Sequence, residues 1–141
     1  MTYNEMKKKH QTEVNEFPKF AAFNEKQFAE GMQSLGLDPS EKEKILSVGA
    51  GMFIRKTDRD AFVDMFKRQR AEIKQACAAD QTGDGFIFDM FYTELANHEY
   101  SYTGDLSDGI AATPFTVEEI NADVALRRGL GKAAKAAGAD E

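Results

Sequence analysis

Apolar residues in this 141-residue chain recur mostly at spacings of three and four, which is the period of an α-helix. Asn24 with Gln27, and Thr116 with Glu119, have the capping-box spacing that opens a helix. The pattern therefore predicts a mainly α (α or α+β) protein with four or five principal helices. The predicted helices cover residues 2–16, 25–35, 58–79, 85–98 and a final helix that opens at 116.

One stretch departs from the helical period. Ile45–Val48 and Met52–Arg55 are short runs of β-type residues, and Gly49-Ala50-Gly51 separates them. A glycine-rich connection between two such runs is typical of a turn. We therefore expect at most one small β-hairpin in this otherwise helical protein.

Three connecting segments carry weaker signals. Asp38 and Pro39 suit the start of a short helix that would end near residue 46. Residues 97–104 are interpreted as a connecting segment that could include one extended strand. Asp105 or Ser107 could cap a short helix that runs to residue 110.

The length is that of one domain, and a chain of this size can bury a sizeable core. We assign residues 1–131 to a single compact helical domain. Gly129 and Gly131 should weaken its last helix, and residues 132–141 should form a frayed tail, because alanine offers no large apolar anchor. A single cysteine, Cys77, and the lack of a signal-peptide pattern or a long apolar run predict a cytoplasmic protein.

Charge is distributed unevenly along the chain. The net charge is −6, yet the 52 residues from Gln75 to Leu126 contain ten carboxylates and no lysine or arginine. Such an acidic segment repels nucleic acid and attracts basic protein surfaces. A solvated face that only keeps the protein soluble is the alternative interpretation.

The centre of the acidic segment, residues 86–108, is also rich in aromatic side chains. Carboxylates beside tyrosines suit a protein interface better than an active site, because aromatic anchors contribute much of the energy of binding. The candidate partner-binding residues are Asp84, Asp89, Glu94, Glu99, Tyr100, Tyr102, Asp105 and Asp108.

Two patterns hint at metal chemistry without completing it. Asp80, Thr82 and Asp84 occupy the first, third and fifth positions of a calcium-loop pattern, but its twelfth position is a phenylalanine where a bidentate glutamate is needed. Glu94 and His98 are four residues apart on a predicted helix and would share one face. Neither pattern supplies a full ligand set or a nucleophile with its base, so we predict no cofactor, no metal and no enzymatic activity.

Three stretches, GAGMFIRKTD, ELANHEYSYTGDLSD and TVEEI, resemble a family of small cytosolic proteins that are found on phages and conjugative elements of gut bacteria. That family includes a type II-A anti-CRISPR protein, an inhibitor of the Cas9 nuclease. The resemblance implies direct binding to Cas9, or to its complex with guide RNA, without contact to nucleic acid or membrane. A mobile-element regulatory or structural protein with another basic partner, and a metal-dependent enzyme that uses Glu94 and His98, are the alternative hypotheses.

Overall fold

The computed structural model describes residues 1–138 and is mainly helical with a small antiparallel sheet, which confirms the predicted fold class. The helices are α1 (Tyr3–Glu16), α2 (Glu25–Ser34), α3 (Arg59–Ala78), α4 (Phe86–Asn97), α5 (Tyr100–Thr103), α6 (Ser107–Ala111), α7 (Val117–Ala122) and α8 (Val124–Gly138). The strands are β1 (Phe20–Ala21), β2 (Ile45–Gly49) and β3 (Met52–Arg55). The first four predicted helices are confirmed as α1 to α4.

Contacts group the chain into two compact units. Residues 12–68 make one unit, and Met1–Gln11 together with residues 69–138 make the other. The divisions fall inside α1 and α3. We refer to them as the sheet unit and the helical unit.

The sheet unit contains the predicted hairpin and one strand more than predicted. Its strand order is β1-β3-β2, and β1 pairs with β3 through Phe20 opposite Phe53. The two rings stack with centroids 5.3 Å apart, and the buried Met32 of α2 belongs to the same cluster. Strand β1 has only two residues, and an alternating pattern of apolar and polar residues needs a longer run to be recognised. The sequence analysis therefore did not predict this strand.

The helical unit is built around α4, which packs mainly against α8. Close approach of the two helices requires Gly129, since a Cβ atom there would lie 2.8 Å from the carbonyl oxygen of Gly83 and would overlap Ile87. The sequence analysis expected this glycine to weaken the helix. Its missing side chain instead lets the two backbones pack closely.

The predicted tail is where the structure differs most from expectation. Helix α8 continues to Gly138, with Ala133 and Ala137 fully buried, so residues 132–138 are packed and not frayed. Alanine methyl groups are sufficient anchors when the neighbouring helix lies this close. The remaining predicted tail residues, 139–141, lie outside the described residues.

Three local predictions are also wrong. Residues 100–103 form helix α5 and not a strand, since Glu99 and Gly104 adopt left-handed backbone conformations that begin and end one turn. The segment after Pro39 forms a 3-10 turn at Lys42–Lys44 and then enters β2. The final helix is interrupted at Asp123, whose carboxylate accepts the N–H of Leu126 and caps α8.

Candidate interaction surface

The predicted binding residues fall on α4, α5, α6 and the loops beside them, but they differ in exposure. Tyr100 is half-buried and Glu94 is buried. The exposed members are Asp84, Asp89, Glu99, Tyr102, Asp105 and Asp108.

Glu94 does not belong to a surface, which corrects the prediction. Its carboxylate accepts hydrogen bonds from the Tyr3 hydroxyl at 3.0 Å and from the Lys7 ammonium at 2.6 Å, and the residue is only 2% exposed. It shares the inward face of α4 with Ile87 and Phe91. The same helical spacing that marks those apolar residues in the sequence could have placed Glu94 inside.

The environment of Tyr3 keeps its hydroxyl group protonated. Burial, and then the neighbouring charge of Glu94, raise the pKa of Tyr3 well above its usual range. The hydroxyl is therefore a permanent hydrogen-bond donor to the carboxylate. Together with Lys7, it satisfies a buried charge that would otherwise be costly.

His98 and Glu94 do lie near each other, as their spacing predicted. Nδ1 of His98 is 2.7 Å from the backbone carbonyl oxygen of Glu94 and 3.9 Å from its carboxylate. The closer contact ties the imidazole to the last turn of α4, at a carbonyl oxygen that also accepts the backbone N–H of His98 at 3.1 Å. In the described part of the chain, no group of three or more His, Cys, Asp or Glu residues is arranged to hold a metal ion.

The calcium-like loop is organised by its first aspartate. The carboxylate of Asp80 accepts backbone N–H groups from Gly83 at 3.0 Å, Gly85 at 3.0 Å and Ile87 at 3.1 Å. Burial acts to raise the pKa of Asp80, but these hydrogen bonds outweigh it and hold the pKa below its usual value. Oδ1 thus holds the loop at Gly83, and Oδ2 fixes the start of α4.

Asp84 is compensated by cations from outside the acidic segment. Its carboxylate pairs with Lys132 at 2.6 Å and Arg128 at 3.4 Å, both on α8. The hydrogen bond from Lys132, supported by Arg128, lowers the pKa of Asp84 despite some opposing desolvation. Asp84 is therefore exposed but not an uncompensated charge.

A similar pairing neutralises Glu119, which lies 3.2 Å from Lys74 of α3. These long-range partners are what sequence reasoning missed. Lys7, Lys74, Arg128 and Lys132 lie outside the acidic segment, and nothing in their local sequence marks which carboxylate each will meet.

Four of the predicted residues keep both exposure and charge. Asp89, Glu99, Asp105 and Asp108 form no ion pair within residues 1–138, and we call them the acidic surface. The backbone N–H of Ser107 hydrogen-bonds to Asp105 and lowers its pKa, so this group in particular stays ionised.

An aromatic ring lies beside this acidic surface. Tyr102 is 90% exposed, and with Glu99, Ala96 and Ser101 it lines an open groove of about 360 Å³. Glu99 has a φ of 58°, a left-handed conformation that glycine usually occupies at the end of a helix. An exposed aromatic residue and an acidic residue without an ion pair in residues 1–138 thus line the same concavity.

A known family matches residues 2–136, which is nearly the whole chain. The chain belongs to the family of unknown function DUF7659. Neither the curated proteins nor the solved structures give a significant match. Within the described residues, no helix is both long and apolar enough to cross a membrane.

Proposed function

We propose that this protein is a binding inhibitor of a type II-A Cas9 nuclease and acts in the cytoplasm of a bacterial host. The observation that carries the proposal is the acidic surface. Asp89, Glu99, Asp105 and Asp108 are exposed carboxylates for which residues 1–138 provide no cation. Uncompensated charge of one sign attracts and orients a partner of the opposite sign.

The choice of Cas9 follows from the sequence motifs and from the chemistry of that enzyme. The stretch Glu94–Asp108 carries much of the resemblance to the mobile-element family that includes an anti-CRISPR protein, and it contains three members of the acidic surface. Cas9 holds its guide–target duplex in a positively charged channel and reads the adjacent motif with arginines. A protein with an acidic surface can occupy such a channel and exclude DNA, with no cofactor and no nucleic acid contact of its own.

This mechanism makes a kinetic prediction. Charges at the edge of an interface act mainly on the rate of association, and salt screens them. Reversal of Asp89, Glu99, Asp105 and Asp108 to lysine should slow association with Cas9 by about tenfold or more at low salt. Between about 0.05 and 0.5 M salt, the parent should lose much more affinity than the reversed variant.

The experiment measures binding to purified Cas9, with and without guide RNA, and inhibition of DNA cleavage. A charge-matched control reverses Glu16, Glu30, Glu43 and Asp64, four exposed acids of the sheet unit. Both variants undergo the same change in net charge, so a general charge effect would slow them equally. Thermal melting checks that each variant remains folded.

The proposal fails if the parent does not bind Cas9 in either form. The acidic mechanism fails if the variant reversed at the acidic surface binds and inhibits as well as the control. Binding to another basic protein of the host or of a mobile element would instead favour the regulatory alternative. His98→Ala should leave inhibition intact, and loss of inhibition in a folded variant with unchanged binding would favour the enzyme alternative.

A further inference from the structure

We propose that Glu99 and Tyr102 form a subsite for one arginine side chain of the protein partner. The inference deepens the proposed function, since it rests on the acidic surface being the binding face. It assigns a specific chemistry, a guanidinium group, to the groove between α4 and α5.

The two side chains are neighbours because of the local backbone. The carbonyl oxygen of Glu99 accepts the N–H groups of Tyr102 and Thr103, each at 3.0 Å, so one helical turn separates the ring from the carboxylate. Glu99 has a left-handed backbone directly before α5, and Tyr102 lies three residues later within that helix. Both side chains line the same groove, with the small Ala96 and Ser101 completing its walls.

Residues 1–138 leave the groove open. Glu99 forms no ion pair within residues 1–138, whereas Asp84, Glu94 and Glu119 each meet a lysine there. Tyr102 is more exposed than any other aromatic residue of the described chain. The groove offers a negative charge and the face of an aromatic ring. A ligand that complements both has a positive charge and a planar surface that can stack on the ring.

A guanidinium group supplies both. Its flat face can stack on the phenol ring while its N–H groups reach the carboxylate, a combination that the compact ammonium group of lysine cannot reproduce. The groove should therefore discriminate between two cations of equal charge. That preference separates a built subsite from a general attraction of acids for bases.

The test uses two peptides of equal length and charge, GSRGSRGS and GSKGSKGS, titrated into the isotope-labelled protein by NMR. We expect the arginine peptide to bind roughly threefold more tightly, which matches an exposed cation–π contact. The Tyr102 ring and the Glu99 amide should show the largest shifts. Tyr102→Ala should abolish the preference and Tyr102→Phe should keep it.

Glu118→Gln is the matched control for Glu99→Gln, because Glu118 is also exposed and also forms no ion pair in residues 1–138. Glu99→Gln should lower the affinity for both peptides. Glu118→Gln should change the affinity for either peptide by a smaller amount. Equal affinity for the two peptides, or a preference that survives Tyr102→Ala, would overturn the subsite.

Binding to Cas9 separates the two proposals. If the parent binds Cas9 and neither Tyr102→Ala nor Glu99→Gln weakens it, the subsite is wrong and the proposed function stands. If Cas9 is not bound while the arginine preference and its loss in Tyr102→Ala are observed, the subsite stands and the proposed partner is wrong.

Discussion

The buried carboxylate of Glu94 gives the sharpest prediction about stability. Lys7→Met removes the ammonium group 2.6 Å from this carboxylate and leaves its apolar stem in place. The Tyr3 hydroxyl still donates its hydrogen bond to Glu94. The Glu94 carboxylate, however, then has no ion pair with a lysine or arginine in residues 1–138.

The structure sets the expected size of the effect. Loss of one partner of a fully buried pair costs about 3–5 kcal/mol. The Glu94 side chain is 3% exposed, but that of Lys7 is 42% exposed, so water screens part of the interaction. The remaining bond from Tyr3 reduces the cost further, and we expect Lys7→Met to lower the free energy of unfolding by about 2 kcal/mol.

Glu94→Gln should cost less, about 1 kcal/mol, because the amide oxygen can still accept from Tyr3 and the freed Lys7 can extend into water. The double variant should be more stable than the sum of the two losses predicts, with a coupling energy of about 1–2 kcal/mol. Urea denaturation followed by circular dichroism measures all three values. Lys26→Met, at an exposed position of α2, is the control for loss of a lysine charge.

A cost for Lys7→Met below about 0.5 kcal/mol, equal to that of Lys26→Met, would refute this reasoning. It would mean that solvent or His98 compensates the carboxylate without help from α1. An additive double variant would lead to the same conclusion, since it would show that the two groups do not interact.

Other predictions follow from single residues. Asp80→Ala should lower the free energy of unfolding by about 2 kcal/mol, because it leaves three backbone N–H groups without their acceptor. Millimolar calcium should not shift the melting temperature of the parent protein. A rise of several degrees would show that an ion binds at this loop. Glu99→Gly should raise stability by up to about 1 kcal/mol in urea, because glycine adopts the left-handed conformation without strain, and a clear loss would contradict that account. Burial, and then the charges of Asp80 and Asp123, raise the pKa of the Cys77 thiol from 9.0 to about 12. As the pH rises, the thiol therefore ionises in the unfolded state before it does in the folded state. The free energy of unfolding should fall as the pH rises from about 9 toward 12. A thiol reagent at pH 8 should label Cys77 only in denaturant, and fast labelling of the folded protein would contradict its burial.

The sequence by itself determined the local elements of this fold. Spacing and capping residues predicted α1 to α4, and the runs around Gly49 and Gly51 predicted β2 and β3, because these features depend on neighbours within a few residues. The capping box of Thr116 and Glu119 is present as predicted. Local hydrogen bonds need no knowledge of the rest of the chain.

The sequence also showed where negative charge accumulates, but only the tertiary structure decided which carboxylates remain free. Glu94 is buried against Tyr3 and Lys7, which lie about 90 residues earlier, and Asp84 meets cations of α8 more than 40 residues later. Ion pairs of this kind depend on helix packing and leave no periodic signal. The same reason explains the buried alanines of α8, whose methyl groups become anchors only because α4 lies against them.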